Sequence, residues 1–500
     1  MISMANPSEP DAGKQTAPDS KDDRPTPTDD FVTTNHTLSI KRQKLRYTAR
    51  TGRMVLRKES VTDGTFDGHV AKAEMFLTSY TLDDADAAER PVTFAFNGGP
   101  GSSSVWLHLG LLGPRRVVAG DVGAPEPPPY RLTDNHETLL QHSDLVFIDP
   151  VSTGYSRPAE GEKPQDYHGF SGDIESVGEI IRLWTSRNGR WLSPKFLAGE
   201  SYGTLRAAAL AEHLQSRYGM YLNGLLLISA VLDFSTIRFT GENDLPYSLF
   251  LPTYASIAHY HGRHDGRELE DVLREAEEFA ERDYPLALAR GARLTAEERR
   301  ETVARLATLT GLSPDYVDRV DLRIEHLRFF AELLRDRKLV VGRLDSRFTG
   351  PDTDYGKEQL TDDPSMAAMV GPYTAALNHY VRSELGYEND LPYEIINVAA
   401  HKAWSYQEFE NQYVSTVDKV SAAMRANPHL KLHVSLGYTD GATPYFAAEH
   451  TLAHLTIPDE LRENITRAYY PAGHMMYVHE PSRLRQSADL AEFVRTASNR

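Results

Sequence analysis

Phe196-Leu197-Ala198-Gly199-Glu200-Ser201-Tyr202-Gly203-Thr204-Leu205-Arg206-Ala207-Ala208-Ala209-Leu210 joins a short apolar run to a helix-forming run through the pattern G-x-S-x-G. The run Phe196 to Ala198 reads as a buried strand, and the stretch from about Leu205 to Tyr218 as a helix. Glycines at 199 and 203 let strand and helix approach closely around a sharp turn, which presents Ser201 at its tip. A nucleophilic serine is the chemical reading of that turn. A tight strand-helix turn without chemistry is the alternative for this stretch taken alone.

Working outward, Leu225 to Ile228 is another compact apolar run, so strand, helix and strand make a βαβ unit. Val92 to Phe96 and Leu145 to Ile148 have the same texture, and each runs at once into a Gly- or Pro-bearing loop. Buried strands of a parallel sheet look like this where their carboxyl ends feed functional turns. Upstream, Thr37 to Ile40, Met54 to Arg57 and Ala73 to Tyr80 lie between Gly and Asp turns and predict antiparallel strands. The sheet pattern resumes at Leu430 to Leu436 and Ile465 to Tyr470, and a final helix is expected over Pro481 to Ala497.

Residues 233–389 differ. Leu269, Val272, Leu273 and Ala276 recur at helical spacing in a charged background, Thr295 with Glu298 reads as a capping box, and Ser313-Pro314 as a helix start. The expected division is therefore a disordered segment at 1–30, a core at 31–232 and 390–500, and a largely helical cap at 233–389. The fold class expected is α/β, a mostly parallel central sheet flanked by helices.

Composition narrows the function. With 500 residues, 40% of them apolar, the chain can bury a large core. A formal charge of -17 argues against a nucleic-acid partner, which would call for a basic face. No run reaches the roughly 18 apolar residues of a membrane span. The absence of cysteine excludes disulfides, thiolate metal sites and a cysteine nucleophile. With no apolar signal segment at the N-terminus, a cytoplasmic setting is the expectation.

Asn97-Gly98-Gly99-Pro100-Gly101-Ser102-Ser103-Ser104 follows the strand Val92 to Phe96. Acyl transfer needs preorganised N–H donors aimed at a developing oxyanion, and a glycine pair lets backbone amides approach it. In a fold of this type the donors come from the residue after the nucleophile and from an early glycine loop, here Tyr202 and Gly99. A phosphate loop is disfavoured, because no Lys-Ser/Thr pair follows. The chain order serine, acid, histidine then directs attention to the C-terminal strands. Asp440 in Gly437-Tyr438-Thr439-Asp440-Gly441 and His474 in Pro471-Ala472-Gly473-His474-Met475 both follow expected strands. His474 is read as general base and Asp440 as the residue that fixes its tautomer. His259, His261 and His264 are read as solvated loop residues, and no metal or cofactor is expected.

Taken together, Phe96 to Ser104, Gly199 to Gly203 and Gly473-His474-Met475 resemble the serine carboxypeptidase family of the α/β-hydrolase superfamily, as a bacterial-type member. Phe147-Ile148-Asp149-Pro150 through Ser156 is similar to the family's strand-loop between the first two motifs. The resemblance runs over about residues 90–485, outside most of the cap. It implies removal of C-terminal residues from a peptide substrate, with Ser201, Asp440 and His474 as triad and Gly99 and Tyr202 as oxyanion hole. It also implies that Asn97, Gly98 and Glu200 hold the substrate's terminal carboxylate. Two carboxyl groups packed together there would share a proton and favour acidic pH.

Three positions depart from the family's pattern. Ser102 stands for a Cys, Leu111 for the Glu expected to partner Glu200, and Tyr438 for an Asp. Arg115 and Arg116, just after Leu111, are read mainly as a solvated basic pair. These changes leave hydrolase chemistry intact and bear on exopeptidase specificity. An esterase or acyltransferase, and a catalytically silent binding protein, are the alternative readings.

Overall fold

The computed structural model describes residues 27–498. Among the described residues the main sheet has ten strands, of which nine follow in one path: β1 (Val32–Ile40), β2 (Gln43–Thr62), β3 (Thr65–Leu82), β4 (Val92–Phe96), β5 (Asp144–Ile148), β6 (Lys195–Glu200), β7 (Gly224–Ile228), β8 (Lys431–Gly437) and β9 (Ile465–Tyr470), while the short strand Arg157–Pro158 pairs with β3 off that path. Their order is β1-β2-β3-β5-β4-β6-β7-β8-β9. The first three are antiparallel, and those from β5 to β9 run parallel to one another. The expected α/β-hydrolase architecture is therefore present.

Sequence explains the division. β4, β6 and β7 are buried at every position, as near-continuous apolar strands covered on both faces must be. β1 alternates exposed and partly buried residues, in keeping with one solvated face. β2 and β3 are joined at Asp63-Gly64, both with positive φ (50° and 80°), the two-residue turn whose twist suits a hairpin.

Helices cover the sheet. They include α1 (Phe170–Arg187), α2 (Tyr202–Tyr218), α3 (Leu245–Tyr260), α4 (Leu269–Glu281), α5 (Ala296–Thr310), α6 (Pro364–Ser383), α7 (Val417–Ala426), α8 (Tyr445–Ala453) and α9 (Glu480–Ser498). α1 has no counterpart in the sequence reading, although Ile174, Val177, Ile181 and Trp184 bury one helical stripe. Between β7 and β8 the chain is mainly helical. α4 buries Val272, Leu273, Ala276 and Phe279, and α5 begins with the Thr295–Glu298 capping box.

Two expectations need correction. Of the segment 1–30 expected to be disordered, residues 1–26 lie outside the described residues. Asp29 and Asp30, however, are fixed on β2: Val55 N–H donates to Asp29 at 2.9 Å, and Arg53 binds Asp30 through its backbone and side chain. The histidines at 259, 261 and 264 are not free loop residues: the first two are half-buried and the third is buried. Their Nε2 atoms meet the carbonyls of Arg267, Ser346 and Thr308 at 2.9, 2.7 and 2.8 Å, tying a helix end to neighbouring loops.

Candidate active site

The carboxyl ends of β4, β6, β8 and β9 lie on one edge of the sheet, and each releases a loop that carries polar groups. Ser201 sits between β6 and α2 with φ 61° and ψ -130°, a conformation costing of order 1–3 kcal/mol for a non-glycine residue. The surroundings hold it there. Ser201 N–H donates to Ile228 O at 3.0 Å, and Thr204 donates both N–H and Oγ1–H to Ser201 O at 2.8 and 2.7 Å. A Cβ on Gly199 would come within 2.1 Å of Gly203 O, and one on Gly203 within 2.9 Å of Phe96 O. Both glycines of the motif are therefore required by close packing.

β8 and β9 place the next pair. Their register matches Gly437 with Tyr470, and Thr439 N–H donates to Ala472 O at 3.1 Å, so the loops that follow lie side by side. His474 Nδ1 is 2.8 Å from Asp440 Oδ2. Asp440 also accepts from Ala442 N–H at 2.8 Å, Thr443 N–H at 2.9 Å and Thr443 Oγ1 at 2.6 Å, which fixes its carboxylate. Burial works against charge on His474, and the charge and hydrogen bond of Asp440 outweigh it, holding the imidazole above its ordinary value. Ser201 and His474 line one cavity of about 400 Å³, a volume suited to a small ligand or peptide end. Among the described residues no hydrogen bond joins Ser201 Oγ to the imidazole; in unliganded enzymes such contacts are often long.

The loop after β4 lies against the elbow. A Cβ on Gly98 would fall 2.4 Å from Tyr202 N, and Gly99 has φ +104°. Neither Gly99 N–H nor Tyr202 N–H has an acceptor among the described residues, and both residues line the cavity. Asn97 Nδ2 donates to Glu200 Oε1 at 2.8 Å, and Tyr477 Oη donates to Glu200 Oε2 at 2.7 Å. Burial pushes the Glu200 carboxyl up to about 7, against the pull of His474 and of these two donors. Every expected site residue thus lies on or beside one cavity: Asn97, Gly98, Gly99, Glu200, Ser201, Tyr202 and His474 line it, with Asp440 behind His474.

A sequence model described as serine carboxypeptidase matches residues 64–474. The chain belongs to the serine carboxypeptidase family. The pheromone-processing carboxypeptidase KEX1 of Yarrowia lipolytica (strain CLIB 122 / E 150) is 29% identical over 148 residues, which is 29% of this chain and 22% of that protein. In three dimensions the chain is similar to KEX1(delta)p, a prohormone-processing carboxypeptidase from Saccharomyces cerevisiae. That likeness covers 91% of both chains with a TM-score of 0.55 at 15% identity, and it is a likeness of fold.

Within the serine carboxypeptidase family this chain has its own solutions at two places. Leu111 is buried in the apolar core and offers Glu200 no acid. Tyr477 supplies the hydrogen bond instead, and Gly110 makes room for it: a Cβ there would lie 2.4 Å from the Tyr477 ring. Ser102, where the family pattern has Cys, accepts from Trp106 Nε1 at 2.8 Å and donates to Ile395 O at 3.3 Å, pinning the strand-like segment beside the cavity by hydrogen bonds. Arg115 is partly exposed and pairs with Asp134 and Glu384, and it does not line the cavity.

Two further residues support the glycine loop: Arg206, to which the sequence reading gave no role, and Asp149, which it quoted only as part of a strand-loop. Arg206, fully buried, donates to Asn97 O at 2.5 Å while paired with Asp173. Asp149 accepts from Ser104 N–H at 2.8 Å and from Tyr393 Oη at 2.7 Å, anchoring the far end of the glycine loop. A buried charge within a motif region was the available signal for both.

Proposed function

We propose that this enzyme removes the C-terminal residue of a peptide through an acyl-enzyme on Ser201. His474, oriented by Asp440, takes the proton from Ser201 Oγ as that oxygen bonds to the scissile carbonyl carbon. The carbonyl oxygen becomes an oxyanion received by the N–H groups of Gly99 and Tyr202. Collapse of the intermediate breaks the C–N bond, and His474 returns the proton to the departing amine. Water, deprotonated by the same imidazole, then releases the acyl group.

The observation that carries the exopeptidase reading is the Asn97–Glu200 pair on the cavity that holds Ser201 and His474. Glu200 in its protonated form donates to a substrate carboxylate, together with Asn97 Nδ2 and Gly98 N–H. A carboxyl group held near pH 7 by burial is suited to that task without a second acid.

Cleavage of N-blocked dipeptides with a free or an amidated C-terminus, between pH 4 and 8, tests this. Preference for the free acid is expected. Turnover of esters with no such preference would instead favour the esterase or acyltransferase reading.

A further inference from the structure

The cavity contains two cations that catalysis as described above does not use. Arg238 and Arg343 both line it, contributed by loops of the region between β7 and β8. Arg343 is next to Leu344, whose carbonyl accepts the His474 N–H at 2.7 Å, and its own carbonyl lies 3.0 Å from where a Gly441 Cβ would be. It is therefore tied to the two loops that bear Asp440 and His474. Arg238 stands over the Phe234 ring at 5.1 Å and lines the cavity together with Tyr406, while Phe234 packs edge-on to Tyr202. Burial, and with it the nearby Arg238 charge, holds the Arg343 guanidinium below its ordinary value, and both residues line the one cavity.

Neither forms an ion pair with a carboxylate of the described residues. The acids that act on Arg343 through space are already committed. Asp363 accepts from Leu344 N–H, Ser365 N–H and Ser365 Oγ. Asp440 serves His474 and Thr443, and Glu325 serves His326 and Arg328 N–H. Glu200 is the one carboxylic residue lining the cavity, and its oxygens are taken by Asn97 and Tyr477. A chain of net charge -17 thus places two guanidinium groups, neither in a direct ion pair among the described residues, on the cavity that holds Ser201. Charges placed so in a walled cleft raise the local concentration of anions and bind them by charge-assisted hydrogen bonds.

We propose that Arg238 and Arg343 select peptides with an acidic side chain, Asp or Glu, on a residue flanking the scissile bond. The proposal rests on the peptidase reading for its substrate class.

The test uses N-blocked dipeptides with Glu, Gln or Lys placed in turn at the penultimate and the terminal position, each as free acid and as amide. For the wild-type enzyme, kcat/KM is expected to favour Glu over Gln by about ten- to a hundredfold at one of the two positions. Lys should be poorer than Gln, and the preference should shrink with added salt. Arg343→Gln and Arg238→Gln should each lower the Glu-to-Gln ratio, and Arg343→Glu should turn it towards Lys. The ratio is taken within each variant, so a general loss of activity cancels.

Equilibrium binding of the same peptides to Ser201→Ala reads the anion preference without turnover. Absence of cleavage with Glu-selective binding would sink the peptidase reading alone. A Glu-to-Gln ratio of one or less at both positions, in cleavage and in binding, overturns the present proposal. So does a ratio that both glutamine variants leave unchanged. A loss in Arg343→Gln that follows the free C-terminus regardless of side chain would assign the arginines to the terminal carboxylate and likewise overturn it.

Discussion

Tyr477 Oη donates a 2.7 Å hydrogen bond to Glu200 Oε2, joining residues 277 positions apart behind Ser201. The bond favours the ionised carboxylate, yet burial wins and holds the group at about 7, above its ordinary 4.5. A carboxyl raised in the folded state gives a stability contribution that is complete below its unfolded value and lost as pH rises through about 7. At about 1.4 kcal/mol per pH unit, the ionised group costs the fold roughly 3 kcal/mol at pH 8. Glu200→Gln should therefore exceed the wild type in stability by about that much at pH 8 and match it at pH 4. Urea denaturation at the two pH values measures this, and equal midpoints at pH 8 would refute it.

Activity gives the complementary sign. On the proposed mechanism, productive binding needs Glu200 protonated, whereas general-base catalysis needs His474 neutral. These two groups influence each other, so the pair titrates with shared apparent values. Removing the Tyr477 hydroxyl removes a donor that stabilises the carboxylate, so Glu200 should hold its proton to higher pH. In Tyr477→Phe, the alkaline limb of kcat/KM for free-acid peptides should move upward in pH. Amide substrates should show no such movement. A shift to lower pH would mean that Tyr477 acts on Glu200 in some other way.

The triad geometry makes a separate prediction. A fluorophosphonate should label the wild type and fail to label Ser201→Ala. Asp440→Asn should retain the fold, while kcat falls by about 10⁴-fold as the imidazole tautomer is lost. Near-normal turnover by Asp440→Asn would show that the 2.8 Å contact with His474 is not what orients the base.

The glycine loop can be probed sterically. Gly98→Ala would drive a methyl group to within 2.4 Å of Tyr202 N, a backbone atom that cannot yield without moving the elbow. Activity should drop by at least about 10²-fold, the scale of losing one oxyanion donor. Steady-state kinetics on peptide and ester substrates should show the loss on both. A loss confined to free-acid peptides would assign Gly98 to carboxylate binding alone.

What could be read from sequence was local in origin. Val92 to Phe96 and Ile465 to Tyr470 appear as strands at the expected bounds, the first as a short apolar run and the second as a β-branched and aromatic stretch, each closed by a Gly- or Pro-bearing loop. Ser201, Asp440 and His474 were legible because each follows such a strand. Tyr477 was not, since its meaning depends on the room left by Gly110 and on Glu200 across the sheet edge. Arg343 and Arg238 sit in irregular loops between β7 and β8, where no periodicity says which side chains turn inward. His259, His261 and His264 misled for a related reason: polar residues near a helix end look solvated until the carbonyls they meet are known.

Arg206 looked in sequence like one more helix residue after the nucleophile motif, but it is the most consequential charge outside the cavity. Its Nε lies 2.8 Å from Asp173 Oδ2, with both side chains at most 1% exposed. The guanidinium lies 5.4 Å from the centres of both the Phe96 and Tyr202 rings, between the oxyanion loop and the elbow. Burial holds Asp173 above its ordinary value despite Arg206, so desolvation outweighs the attraction within the pair. Asp173→Ala should cost about 3–5 kcal/mol, because it strands a buried cation, while the double change Asp173→Leu with Arg206→Met should recover much of that loss. Recovery of stability should not restore turnover, since the 2.5 Å bond from Arg206 to Asn97 O goes with the side chain. Denaturation and kinetics on the single and double variants separate the two roles. A double variant with full activity would mean that the loop before Ser201 keeps its shape without Arg206.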